Sequence, residues 1–105
     1  MSWNYKLKLN GVDPEKIRHA QAYIDSEILR NSDPLIPFKT GSLKRSGITG
    51  TQIGTGIIKY TAPYAKFQYF NGKASNQRGR KWVQRMWLSQ RKQILKNAQK
   101  ILNGR

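Results

Sequence analysis

Apolar and polar residues alternate at the start of the chain. Trp3, Tyr5, Leu7 and Leu9 are separated by single polar residues, and a period of two places all four side chains on one side of an extended backbone. The pattern predicts a half-buried strand over residues 3–9. The stretch "NGVDP" follows, and because it combines glycine, asparagine and proline, we expect the chain to turn there.

The next segment changes to helical spacing. Asp13 is suited to cap open N–H groups, Pro14 fits the first helical position, and Glu15 is favoured at the positive end of the helix dipole. The sequence therefore predicts a helix that runs to about residue 31, because Pro34 disfavours helical geometry in the residue before it. Its apolar stripe consists of Ile17, Ala20, Ile24 and Ile28.

The segment "IPFKTGSLKRSG" is too apolar for a plain linker. Its proline holds the chain extended, and Thr40 can then cap a short helical turn. In this turn we expect Leu43 to point inward. The positions expected to point outward are Lys44, Arg45 and Ser46.

The glycine-rich stretch "GITGTQIGTGIIKYTAP" predicts a long hairpin, with glycines at turn or bulge positions. Its first arm begins at Ile48. Its second arm contains Ile57, Ile58 and Tyr60. A short helix is then predicted to start at Pro63, because three aromatic residues recur at helical spacing. These residues are Tyr64, Phe67 and Phe70.

The C-terminal third combines a polar segment with a long periodic one. Residues 71–81 are basic and contain glycine, which predicts a flexible loop. A helix of roughly 20 residues, and so roughly 30 Å long, is predicted from Lys81 to about Leu102. Its stripe consists of Val83, Trp87, Ile94, Ala98 and Ile101 or Leu102. The chain is thus predicted to be one α+β domain over residues 1–105. A small antiparallel sheet with a long hairpin would pack against an N-terminal helix and a long C-terminal helix.

The charge of the chain indicates a protein that binds anionic partners. The chain has 20 Lys and Arg against 5 Asp and Glu, a net charge of +15. All five acids precede residue 34, whereas residues 34–105 hold 15 of the basic residues. Such a chain is expected to bind anionic partners, of which nucleic acid and acidic protein surfaces are favoured over lipid.

Nine residues are candidates for contact with a partner or with DNA. On the loop, Arg78, Arg80 and Lys81 followed by Trp82 predict a surface that binds phosphates and stacks on bases. The alternative is a solvated loop followed by a core tryptophan, and the sequence leaves both open. The final helix carries basic residues on most of its remaining surface, where a solvated face would mix signs. The full set is Lys73, Arg78, Arg80, Lys81, Trp82, Arg85, Arg91, Lys92 and Lys96.

Catalytic chemistry has little support in the sequence. Cysteine is absent, and His19 is the single histidine, so the usual ligands of a zinc site are missing. Asp25 and Glu27 are two residues apart and face different sides of a helix, unlike a catalytic carboxylate pair. The stretch "GTQIGTG" lacks the Lys-Ser/Thr of a phosphate-binding loop. We expect no enzyme activity, no cofactor, no metal and no membrane-spanning segment.

Four segments in a fixed order carry a family resemblance. They are "LNGVDPEKI", "IPFKTGSLKRS", "KYTAPYAKFQYFNG" and "KWVQRMW", and together they extend from about Leu9 to Leu102. Their order and spacing resemble the minor capsid proteins of long-tailed double-stranded DNA bacteriophages, which include tail-completion and head–tail joining (neck) proteins. The residues that match the family's motif are Pro37, Phe38, Thr40, Gly41, Leu43, Ser46, Tyr64, Ala65 and Trp82.

The resemblance implies a structural virion protein. Its subunits would form a homo-oligomeric ring, expected to be hexameric, in the neck between head and tail. Its partners would be the connector or head-completion protein, the tail-terminator or tail-tube protein, and the genomic DNA in the lumen. The protein would act in the virion and be present in the host cytoplasm during assembly. It would bind no small-molecule substrate and no membrane. The alternative from charge alone is a sequence-independent nucleic-acid-binding module.

Overall fold

A computed structural model describes residues 1–37 and 41–104 of the chain. These residues form four α-helices and a two-stranded antiparallel sheet. In chain order the elements are β1 (Ser2–Asn4), α1 (Pro14–Ser32), α2 (Ser42–Gly50), β2 (Ile57–Lys59), α3 (Ala65–Asn71) and α4 (Trp82–Leu102). A 3-10 turn over Asp33–Leu35 follows α1. The α+β class and the long C-terminal helix predicted from the sequence are confirmed.

Helix α1 begins as its sequence predicts. The Oδ1 atom of Asp13 accepts a hydrogen bond of 2.9 Å from the backbone N–H of Glu15, and Pro14 occupies the first helical position. The helix ends at Ser32, one residue from the predicted boundary, because Pro34 belongs to the 3-10 turn. Both ends of α1 therefore follow from capping and proline geometry.

The core lies mainly between α1 and α4, which pack along each other. Their predicted apolar stripes are largely confirmed, because the central residues of each are fully or almost fully buried. From α1 these are Ala20, Ile24 and Ile28, and from α4 they are Val83, Ile94 and Ala98. Trp82 and Met86 of α4 are also fully buried. Tyr23 and Asn97 link the two helices through a hydrogen bond of 2.9 Å.

The sheet joins the start of the chain to its middle. Trp3 of β1 pairs with Ile58 of β2, and the ladder continues as Tyr5 N–H donates to the carbonyl of Gly56 at 2.8 Å. Half-buried and exposed residues alternate from Met1 to residue 8, as the period of two predicts. The regular strand is shorter than predicted. The alternation is confirmed as far as Leu7, whereas Leu9, expected on the half-buried side, is 41% exposed.

The predicted hairpin is wrong. Residues 48–50, expected at the start of its first arm, belong to the last turn of α2, and β2 pairs with β1 instead. Helical geometry is favoured here because Leu43, Ser46 and Gly47 all reach the core at spacings of three and four residues. Gly47 is required for this contact, since a Cβ atom there would lie 2.3 Å from the ring of Tyr60.

Helix α2 also corrects the predicted corner. Leu43 is buried as expected, but Ser46 is buried too, and its hydroxyl donates a 2.7 Å hydrogen bond to the carbonyl of Leu43. The residue that caps the helix is Gly41, which has a φ of +82°. The predicted cap, Thr40, and Phe38 lie outside the described residues. Pro37 is half-buried.

Helix α3 is present, but the side that it buries is not the side with the three aromatic residues at helical spacing. It begins at Ala65, two residues after the predicted start, and buries Ala65 and Tyr69. The three aromatic residues at helical spacing face solvent instead. Tyr64 is 44% exposed, Phe67 62% and Phe70 49%. We call these three side chains the aromatic face.

Candidate partner-binding surfaces

The buried carboxylate of Asp25 is a structural anchor. It is fully buried in α1 and accepts hydrogen bonds from Gln21 Nε2 at 2.9 Å, Gly54 N–H at 2.8 Å and Gly56 N–H at 2.9 Å. Gly54 and Gly56 have φ values of +98° and +76°. The glycine-rich stretch therefore forms a turn, as the sequence predicts, and its backbone N–H groups bind the Asp25 carboxylate of the same chain.

The other four carboxylates also have partners within the chain. Asp13 caps α1. The remaining pairs are Glu15 with Arg18, Glu27 with Arg30 at 2.7 Å, and Asp33 with Lys44 at 3.2 Å. The hydrogen bonds from Arg30 lower the pKa of Glu27 below its usual value. All five Asp and Glu side chains thus have partners within the chain, and they are too few to pair with most of the 20 Lys and Arg.

A concave surface of about 650 Å³ lies between the segment 71–81 and the first turns of α4. Five basic residues line it, and none of the described lining residues is acidic. The basic residues are Lys73, Arg78, Arg80, Lys81 and Arg85. We call this surface the basic cleft. It brings together five of the nine contact candidates.

Arg78 holds the loop of the cleft against the body of the protein. Its Nη1 atom donates to the carbonyl of Ile36 at 2.8 Å and to that of Asp33 at 3.1 Å. The next residue, Gly79, is buried, and its N–H donates to the carbonyl of Leu35 at 2.9 Å. This arginine therefore has a positioning role that its position in a basic loop did not indicate.

Arg85 braces the same loop from α4. Its Nε atom donates to the carbonyl of Arg80 at 2.8 Å and its Nη1 atom to that of Gln77 at 3.0 Å. The loop backbone is also fixed to α3, because Lys81 N–H donates to the carbonyl of Tyr69 at 2.7 Å. The other three basic residues of the cleft are exposed: Lys73, Arg80 and Lys81.

Trp82 is a core residue. It is fully buried, with its ring centroid 4.7 Å from that of Tyr69 and 5.5 Å from that of Tyr60 in edge-to-face contacts. The core interpretation of Trp82 is confirmed, and the stacking surface expected there is wrong. The exposed aromatic rings nearest in sequence are those of α3. Helix α3 has aromatic residues on opposite sides, and a helix at the surface can bury only one of its sides. This distribution of aromatic residues is the sequence signal that predicts the exposed aromatic face.

The basic residues further along α4 face solvent. Arg91, Lys92 and Lys96 are exposed, and among the described residues no carboxylate pairs with any of them. Lys92 follows Arg85 by seven residues and Lys96 follows Lys92 by four, so all three lie on the same side of the helix. They extend positive charge from the basic cleft along α4.

A second concave surface of about 370 Å³ lies between α1, α2 and the segment before β2. Ile36 and the ring of Tyr60 are its buried lining residues. At its edges Ile48 is 60% exposed and Ile53 46% exposed. The complete lining is Ser26, Leu29, Arg30, Asp33, Ile36, Lys44, Ile48, Ile53 and Tyr60. We call it the isoleucine groove.

The single histidine lies outside these surfaces. His19 has 73% of its side chain exposed, and its Nε2 atom lies 3.7 Å from Glu15. Among the described residues, no group of three or more His, Cys, Asp or Glu side chains could hold a metal ion. Within the same residues, no helix has the length and apolar character to cross a membrane.

The motif residues hold the corner between α1 and α2 and the start of α3. Gly41, Leu43 and Ser46 are buried at the corner, and Ala65 is fully buried in α3. Tyr64, next to Ala65, is exposed. The motif thus combines core positions with one residue of the aromatic face.

No family model, curated protein or solved structure matches the chain. Proposals about its function therefore depend on the surfaces described above and on the ordered sequence motifs.

Proposed function

We propose that the protein is a structural subunit of a ring in the neck of a long-tailed double-stranded DNA bacteriophage. The ring joins the head or its connector to the tail, and DNA passes through its centre. The ordered motifs from Leu9 to Leu102 suggest this family. The proposal assigns the protein no catalytic activity and no cofactor.

One observation about the surface carries the proposal. A chain of 105 residues presents three separate features suited to macromolecular contact: the basic cleft, the aromatic face and the isoleucine groove. A ring subunit in a neck has to contact its two neighbours in the ring and the proteins above and below it. Exposed aromatic and arginine side chains are also the residue types that dominate protein interfaces.

The basic cleft is the surface for an anionic neighbour. A second copy is a poor anionic partner for the cleft, because it has 5 Asp and Glu against 20 Lys and Arg, and all five of these acids have internal partners. The complementary charge would come from an acidic face of an adjoining ring or from DNA phosphates. Dense positive charge along the lumen would retain DNA, so we assign most cleft cations to protein partners.

The test of the proposal is electron microscopy of particles made without the protein. We expect full heads and finished tails that lie apart, and joined virions after purified protein is added back. A matched sample would receive a variant with Lys73, Arg80 and Lys81 changed to serine, which we expect to join heads and tails less efficiently. Joined virions in the complete absence of the protein would refute the proposal.

A nucleic-acid-binding module is the second candidate, favoured by the line of positive charge from the cleft along α4. It predicts tight binding to DNA that weakens steeply with salt, because bound phosphates release counterions. A neck protein needs to bind free DNA only weakly. Fluorescence anisotropy with a labelled duplex between 50 and 200 mM salt, roughly the range over which such binding collapses, separates the two.

A further inference from the structure

Self-association presents an electrostatic problem for this chain. Each copy has a net charge of +15, so copies repel one another at low salt. A contact between copies is therefore favoured where the local charge is balanced. This requirement distinguishes the two concave surfaces, because five basic residues line the basic cleft.

The isoleucine groove meets the requirement. Both basic residues that line it are in ion pairs: Arg30 with Glu27 at 2.7 Å and Lys44 with Asp33 at 3.2 Å. The Asp33 side chain is 37% exposed, so its carboxylate is within reach of a cation on an approaching chain. The groove thus offers apolar edges and balanced charge on an otherwise cationic protein.

The aromatic face has the complementary properties. It projects two rings from α3 and a third from Tyr64, the residue before the helix, and α3 also carries the exposed Lys66. No acid occurs between residues 64 and 71. An engineered cavity of roughly 150 Å³ can hold benzene, so a groove of about 370 Å³ has room for a phenyl ring. As the rings enter the groove, the ammonium group of Lys66 would approach the carboxylate of Asp33.

We propose that the aromatic face of one copy docks into the isoleucine groove of the next. The inference rests on the proposed function, because it specifies the contact between neighbouring subunits of the ring. A contact between two different patches is heterologous, and heterologous contacts generate rings when the rotation closes. A contact of the groove with itself would stop at a two-fold dimer.

Within one subunit the two patches share a common support. Trp82 packs edge-on against Tyr60, which lines the groove, and against Tyr69. Tyr69 in turn contacts the ring of Phe70, with centroids 5.3 Å apart. The relative position of groove and aromatic face is therefore fixed through packed core rings, as a ring of constant curvature requires.

The test uses two matched variants and their mixture. Ile48→Glu disables the groove and Phe67→Glu disables the aromatic face, and the two native side chains are 60% and 62% exposed. Sedimentation velocity at high protein concentration and 0.5 M salt, where the Debye length falls to roughly 4 Å, reduces the charge repulsion. We expect the wild type to form oligomers. We expect each variant alone to be monomeric, with at least about a tenfold rise in the dissociation constant.

The mixture gives the decisive result. A copy with Ile48→Glu keeps an intact aromatic face, and a copy with Phe67→Glu keeps an intact groove. We therefore expect an equimolar mixture to form dimers and nothing larger. Leu9→Glu is the control, because Leu9 is 41% exposed and lies outside the aromatic face, the isoleucine groove and the basic cleft. We expect it to associate like the wild type.

Several outcomes would overturn the inference: a monomeric wild type, association of either variant at wild-type strength, a mixture that stays monomeric, or loss of association in Leu9→Glu. Circular dichroism checks folding, and Ile53→Glu and Phe70→Glu replace any variant that does not fold. If the inference fails while particles without the protein still lack joined tails, the neck function stands. Joined particles without the protein would instead refute the function itself.

Discussion

The basic cleft and the isoleucine groove both contain arginine and lysine but use the charges of these residues differently. In the cleft, Arg78 and Arg85 donate to backbone carbonyls, so both guanidinium groups are fixed in place. In the groove, Arg30 and Lys44 face carboxylates. The location of five acids thus decides which concave surface attracts anions and which can meet another cationic chain.

The largest expected effect comes from the residue that supports both regions. Trp82→Ala should lower the free energy of unfolding by about 3–5 kcal/mol, because it removes a fully buried indole and leaves a cavity. Tyr60 on the groove side and Tyr69 on the cleft side would both lose their edge-to-face partner. Urea unfolding measures the change. A loss below about 1 kcal/mol would mean that the two regions do not share a rigid core.

A smaller loss, which leaves the basic cleft unchanged, is expected from Asp25→Ala. The carboxylate holds the N–H groups of Gly54 and Gly56, and this turn positions Ile53 at the groove edge. Leaving buried donors without an acceptor should cost about 2–3 kcal/mol. Hydrogen exchange should increase at residues 52–56 and stay unchanged at residues 78–81. Faster exchange in both segments would contradict the separation of the two regions.

The cleft has its own matched pair of substitutions. Arg78→Met removes the hydrogen bonds to Asp33 and Ile36 and should cost about 1.5–3 kcal/mol, the range for charged donors. Lys73→Met removes the same charge from an exposed side chain and should stay within about 0.5 kcal/mol. Thermal melting compares the two. Equal effects would show that Arg78 contributes only charge, as a simple basic loop would.

Most of the fold could be predicted because its signals are local. The cap at Asp13, the proline after α1 and the stripes of α1 and α4 all act within a few residues of where they appear. The hairpin prediction failed because Ile58 finds its strand partner in Trp3, 55 positions away. Ile48 and Thr49 are β-branched and fit a strand as local signals, whereas the burial of Leu43, Ser46 and Gly47, with Gly47 against the ring of Tyr60, favours the helix.

The candidate site was predicted in part for the same reason. Composition identified the basic residues, and Lys73, Arg80 and Lys81 do lie together in one cleft. Composition could not separate contact residues from bracing residues, because the bonds of Arg78 reach carbonyls more than 40 positions away. The groove was missed altogether, since it combines α1, α2 and the segment before β2.

The smallest expected effect compares one tyrosine from each region. Burial raises the pKa of Tyr60 at the groove and that of Tyr69 beside the cleft above their usual value. The unfolded chain therefore ionises near pH 10 while these phenols stay protonated in the folded protein. The free energy of unfolding should then fall as the pH rises past about 10, because the unfolded state releases more protons.

Tyr60→Phe should remove part of this alkaline loss and cost less than about 1 kcal/mol at pH 7, since the Tyr60 hydroxyl is buried with no hydrogen-bond partner among the described residues. Tyr69→Phe should cost more at pH 7, because the Tyr69 hydroxyl accepts the N–H of Gln84 in the first turn of α4 at 3.3 Å. Urea unfolding of both variants at pH 7 and pH 10.5 provides the comparison. If Tyr60→Phe proved the more costly at pH 7, the groove would depend on a polar contact of Tyr60, and its assignment as an apolar docking surface would be weakened.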